Sequence, residues 1–313
     1  MEERAGGVPP DTHAERELPR MDPPNVLWFF GAIVMAIAVN LLLATLPDSQ
    51  NGLWIFLGAF AFLLVFIAAS LLLLGVLWWV PAGLAAALAV SLVPGTTIGF
   101  LKLVTLWPDD PLSTPSSDFS FWAFFVAFLS VAAGVVAFVR TRFTFILAEV
   151  VIGILIAAQL LLPAFSSPPS NDARATMAVV SGAALVALGV YLDTLGRRRE
   201  AFWFHVLGFF AVAVALVYWA SLSGGDHQRG WIPMLVAGVV VMLAAGPIRR
   251  ATWAVYGVLG YFVPIVRYMV KGLDQNSWPF AIWLMLLALS IFLVGISLHR
   301  YGRGWTDRFA RQS

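Results

Sequence analysis

The chain has 313 residues, of which 60% are hydrophobic and only 12% charged; its net charge is +2 and it has no cysteine. A soluble domain carries about 25% charged residues, and a chain of this length folded in water would need them to cover its surface. Composition therefore excludes a soluble globular protein, disulfides, thiolate metal sites and thiol nucleophiles, and leaves lipid as the solvent.

Residues 1–25 are polar and rich in Glu, Asp, Pro and Arg, so they read as a disordered cytoplasmic N-terminal tail. They lack the basic start, short apolar stretch and small-residue cleavage site of a secretory signal. A bilayer core needs about 20 apolar residues to be crossed by a helix. Stretches of that kind fall near 26–46, 53–74, 82–105, 119–139, 143–165, 175–195, 202–222, 231–246, 251–271 and 278–298. The apolar run from Leu53 to Trp107 is too long for one span. It divides at Gly75–Pro81, where Trp78 and Trp79 suit a membrane interface and Pro81 suits a helix start. Residues 26–298 are thus expected to form an all-α, polytopic transmembrane bundle of about ten spans. Residues 299–313 form a basic cytoplasmic C-terminal tail, in which Arg300, Arg303, Arg308 and Arg311 alternate with Tyr301, Trp305 and Phe309. Such a segment suits the surface of an anionic leaflet.

Loop charge orients the spans. Arginines recur at Arg140/Arg142, Arg197–Arg199, Arg249/Arg250 and Arg300/Arg303, with two apolar stretches between neighbouring clusters. With both termini inside, every Lys and Arg except Lys102, Arg174, Arg229, Arg267 and Lys271 falls on the cytoplasmic side. The expected location is the inner (plasma) membrane of a prokaryotic cell.

Ionisable residues within spans are costly in lipid and are the first places to look for function. Glu149 lies about 10 Å into the fifth span, counted from Arg142. Gly153 and Ala157 follow it at helical spacing, giving a small, acidic face that suits close approach of another helix. Asp193 ends the sixth span, with Gly189 and Gly182 on its face; His205 opens the seventh, with Gly208 beside it. These three residues share a depth and could form an acid–base cluster facing the cytoplasm. The bland alternatives are an ion pair from Asp193 to Arg197, a structural His205, and a Glu149 hydrogen bond that ties two helices. Pro94 and Gly95 interrupt the third span and either kink it or free backbone groups toward a cavity. Asn40 and Gln159 suit hydrogen bonds between helices.

The sequence has no His-Glu-x-x-His, Gly-x-Ser-x-Gly or phosphate-binding Gly-rich loop. Nothing in it calls for a metal or another cofactor, and its charge pattern does not point to nucleic acid. Glu149 and His205 as an intramembrane acid and base have nothing else beside them, so a non-enzyme is favoured. In size, span count and short loops the chain resembles the drug/metabolite transporter superfamily, a likeness of layout over the whole chain. The resemblance implies two inverted five-span halves, 26–165 and 175–298, whose third and eighth spans correspond. It favours a transporter-like handling of a small molecule or lipid. The alternative is a non-catalytic subunit, scaffold or sensor that binds lipid, another membrane protein or a second copy of itself as a homo-oligomer. On either reading the partners expected are membrane lipids, with the Arg-rich turns and tail against the anionic inner leaflet.

Overall fold

The structure, a computed structural model, describes residues 23–45, 52–107, 117–164, 169–221, 230–248, 250–273 and 278–309. The proposed N-terminal tail lies almost wholly outside them, as do Arg229 and Arg249. Ten α-helices follow one another: α1 (Pro23–Ala44), α2 (Leu53–Gly75), α3 (Trp79–Leu103), α4 (Ser117–Thr141), α5 (Ile146–Leu160), α6 (Asn171–Thr194), α7 (Arg198–Ser221), α8 (Trp231–Ile248), α9 (Ala251–Gly272) and α10 (Trp278–Phe309). Among the described residues, nine are long and apolar enough to cross a membrane. The tenth, α5, has 15 residues, about 22 Å of helix, and runs on into a short 3-10 turn at Leu162–Ala164. Helix α10 continues through the basic stretch to Phe309, so that stretch is helical and continuous with the last span.

The long apolar run divides where expected. α2 ends at Gly75 and α3 begins at Trp79, with Pro81 in its first turn. Two amides of the connecting turn bond back into α2: Leu77 N–H to the Leu74 carbonyl (3.1 Å) and Trp78 N–H to that of Leu73 (2.9 Å). This satisfies the last carbonyls of the helix and requires a left-handed residue, here Leu77 at φ 62°. The α6–α7 turn has the same pattern around Gly196 (φ 75°), with Arg197 N–H on the Leu192 carbonyl. Helix α6 is over before Arg197, so the i,i+4 partner that Asp193 would have on a longer helix does not exist.

Neighbouring helices pair most extensively as α2 with α3, α4 with α5, α6 with α7 and α8 with α9. Three of these hairpins close at an arginine-bearing turn. The pairing repeats every two helices and does not follow the inverted five-helix halves that the transporter resemblance implies. Small residues bring the hairpins together. A Cβ on Gly182 would stand 2.6 Å from the Gly208 carbonyl oxygen, so α6 and α7 touch backbone to backbone. Half of α3's most apolar window and 44% of α7's are buried, against 6% for α1 and for α10. α3 and α7 are therefore the central helices, and α1 and α10 present their apolar side chains to lipid.

Pro94 does not break the third span: α3 is one continuous helix of 25 residues. Around it, the Thr96 and Thr97 hydroxyls donate to the Leu92 and Val93 carbonyls at 3.0 and 2.8 Å. Such local bonds help a proline-containing helix persist in lipid. Asn40 bonds its own helix at the Ala36 carbonyl, whereas Gln159 reaches the Arg174 carbonyl of α6 (3.2 Å).

Candidate functional site

Asp193 and His205 meet at the arginine-bearing face of the bundle. The His205 ring is fully buried, with Nε2 at 2.9 Å from Asp193 Oδ2. The Trp253 indole N–H, a donor only, points to His205 Nδ1 at 3.2 Å. Nδ1 must therefore accept, and Nε2–H must donate to Asp193. Arg250, the residue before α9, grips the same carboxylate with both arms of its fork: Nε reaches Oδ2 at 3.1 Å and a terminal nitrogen reaches Oδ1. That terminal nitrogen also donates to the Arg198 carbonyl at 2.6 Å. Gly189 makes room for the ring, since a Cβ there would stand 2.9 Å from His205 Cε1. Every polar atom of this cluster that points inward has a partner, and one negative charge faces one positive charge. The arrangement ties α6, α7 and α9 together and leaves no open position for a ligand.

Glu149 belongs elsewhere. It sits in the first turn of α5 and lines a cleft of about 460 Å³ between α3, α4 and α5. From α5 the cleft takes Glu149, Ile152, Gly153, Ile156 and Leu160, one face of a helix; from α3 it takes Pro94. Glu149 to Leu160 is about 16 Å at 1.5 Å per residue. The cleft therefore runs along most of α5, toward the face opposite the arginine turns. Beyond Glu149, the buried cluster of Ala86, Ala87, Val90 and Ile146 closes the arginine-bearing end. Ile152 and Ile156 are 45% and 49% exposed, so one side of the cleft borders lipid.

Glu149 Oε2 is buried without a hydrogen-bond partner. The two serine hydroxyls in the lining, Ser91 and Ser130, donate to carbonyls of their own helices, Leu88 and Val126, each at 2.8 Å. An unpartnered buried oxygen carries a desolvation cost of about 1–3 kcal/mol. A donor or a positive charge entering the cleft would relieve it.

The three ionisable residues thus fall into two sites, not one cluster. Gly153 and Pro94 line the Glu149 cleft; Gly95 instead packs on α2, where a Cβ would stand 3.6 Å from that of Ala59. Sequence reasoning missed Arg250 and Trp253: the arginine reads as loop charge alone, and nothing near the tryptophan in the sequence marks it as a partner of His205. Nothing local links Arg250 to an aspartate 57 residues earlier. Among the described residues, no three His, Cys, Asp or Glu gather as metal ligands.

The fold is that of a multi-pass α-helical membrane protein. Compared with family models, curated proteins and solved structures, the chain matches none.

Proposed function

We propose that the protein takes a small, membrane-partitioning organic cation or amine into the Glu149 cleft and carries it across the bilayer. The observation behind this reading is the unpartnered Glu149 oxygen near the closed end of a long, otherwise apolar cleft. An apolar lining with one carboxylate selects an apolar ligand that brings its own donor or charge. The border with lipid at Ile152 and Ile156 supports entry from the membrane. A cleft open along one end of the bundle and plugged at the other is what one half of an alternating-access cycle requires. Carriage would then rest on movement of the α4–α5 hairpin against α3, the helices that enclose the cleft. This reading sets the protein in the inner membrane of a prokaryote with its arginine turns in the cytoplasm, in keeping with the loop-charge bias. A sensor or subunit that holds the same ligand without moving it would use the same site.

Liposomes holding the purified protein test this with radiolabelled tetraphenylphosphonium as probe. Saturable binding is expected for the wild type, and binding about tenfold weaker for Glu149→Gln, which loses the Coulomb attraction of a carboxylate for the cation. Ile156→Trp, which fills the cleft, should block binding without touching the carboxylate. Counterflow of the probe in the same vesicles supports carriage; binding without flux assigns the sensor or subunit role. Equal binding by the wild type and Glu149→Gln would discard the cleft as the ligand site.

A further inference from the structure

Pro94 changes what the Glu149 cleft offers a ligand. In a helix each carbonyl accepts from the N–H four residues on, and proline has none, so the Val90 carbonyl of α3 loses its donor. The hydroxyls nearby do not replace it: those of Ser91, Thr96 and Thr97 donate to the Leu88, Leu92 and Val93 carbonyls. Val90 and Pro94 both line the cleft, as Glu149 does, so the gap between them opens onto it. Depth matches as well. Ile146 packs with Ala86, Ala87 and Val90 at the closed end, and Glu149 lies about 4.5 Å further along α5. The Val90 carbonyl points the same way, toward the end of its own helix. The apolar walls therefore present two acceptors, Glu149 Oε2 and the Val90 carbonyl oxygen. Among the described residues, no Lys, Arg or His lines the cleft to answer them.

We propose that the ligand of this cleft is a protonated amine with at least two N–H donors, a primary or secondary alkylammonium, held between the Glu149 carboxylate and the Val90 carbonyl; this rests on the cleft being the ligand site. One N–H donates to Glu149 Oε2 and another to the carbonyl, while the organic group lies along the apolar wall toward Ile152 and Ile156. Quaternary ammonium and phosphonium ions carry no N–H and meet the carboxylate by charge alone. A site with two buried acceptors discriminates against such ions, because the acceptors are then desolvated and left unpaired. Pro94 is thus a specificity-determining residue. Its ring removes the N–H, and the freed backbone oxygen is tolerated at membrane depth because it faces a cavity.

Displacement of radiolabelled tetraphenylphosphonium from the purified full-length protein separates this claim from the cleft assignment. The competitors are phenethylammonium and its N,N,N-trimethyl derivative, which share one organic group and one charge. On the wild type the primary ammonium should displace the probe at about tenfold lower concentration than the quaternary ion, the worth of one hydrogen bond to a buried acceptor. Pro94→Ala gives the Val90 carbonyl an N–H within a helix that alanine favours, and should bring the two competitors within about twofold of each other. Partition into detergent is the same for both proteins, so the change in ratio reads the site. Tight probe binding with equal displacement by the two competitors overturns the two-acceptor site and leaves the cleft assignment standing. A ratio unaltered by Pro94→Ala does the same, since it assigns the preference to Glu149 alone. Absence of saturable probe binding, or equal binding by Glu149→Gln, fails the cleft itself and this proposal with it.

Discussion

Asp193 is where the chain commits most to a single geometry. Its carboxylate receives His205 Nε2–H on one oxygen and both arms of the Arg250 fork across the two. The side chains of Asp193 and Arg250 are only 14% and 15% exposed, so neither recovers full hydration if the other is lost. Removing one partner of such a pair leaves an uncompensated charge, a cost of about 3 kcal/mol. Asp193→Ala should therefore lower unfolding stability in micelles by about that amount. Trp253→Phe keeps the ring contacts but leaves His205 Nδ1 without a donor, for a loss of about 1 kcal/mol. Equilibrium unfolding of both variants checks the network; changes under about 0.5 kcal/mol in both would mean that these bonds contribute nothing. A lysine in place of Arg250 should not restore full stability, because one ammonium cannot span two carboxylate oxygens and the Arg198 carbonyl with the same planar fork.

Helices in lipid gain no hydrophobic driving force from meeting each other, so close packing and internal hydrogen bonds must hold them. The hairpins show how. Gly182 and Gly208 face each other, and each would drive a Cβ into the other's carbonyl oxygen, at 2.6 and 2.8 Å. In the α2–α3 hairpin, the Ser70 hydroxyl donates to the Ala82 carbonyl at 2.9 Å, a buried bond between the two helices. The small face that Gly182, Gly189 and Asp193 make in the sequence is the face that meets α7. Gly182→Ala should force α6 and α7 apart and cost about 1–3 kcal/mol, as overpacking does. Gly31→Ala on α1, where nothing lies within 4 Å, should be neutral or slightly stabilising because alanine favours helix. The difference between the two melting curves is the readout; matching curves would mean that the close approach of α6 and α7 is not needed.

Across the whole molecule, contacts sort the turns onto two faces. Phe29, Phe145 and Trp203 meet at one, together with Asp193 and Arg250. The other has Gln159 on the Arg174 carbonyl and the Arg267 guanidinium 5.7 Å from the Trp231 ring centre. The absence of cysteine makes this arrangement measurable. Cysteines placed singly at Arg142 and Gly196 should react with an impermeant thiol reagent from the same side of sealed vesicles. Those at Thr105 and Gly272 should react from the other. Reaction of Arg142→Cys and Gly196→Cys from the cytoplasmic side would agree with the loop-charge orientation, and reaction from outside would reverse it.

Much of this architecture is legible without coordinates. Lipid as solvent demands long apolar helices with satisfied backbones, and that demand is written locally: in the lengths of the apolar runs, in the Gly75–Pro81 division and in the spacing of the arginines. The small residues beside Glu149, Asp193 and His205 likewise marked faces that meet protein. Partnership is not local. Asp193 chose Arg250 over Arg197 because a left-handed Gly196 ended the helix first and because the start of α9 packs on α7 at His205, which brings Arg250 within reach. Glu149 was separated from His205 because α5 turns its acidic face to α3 and α4, where a cleft remains. Side-chain periodicity tells which face of a helix is buried, and only tertiary packing decides what it is buried against.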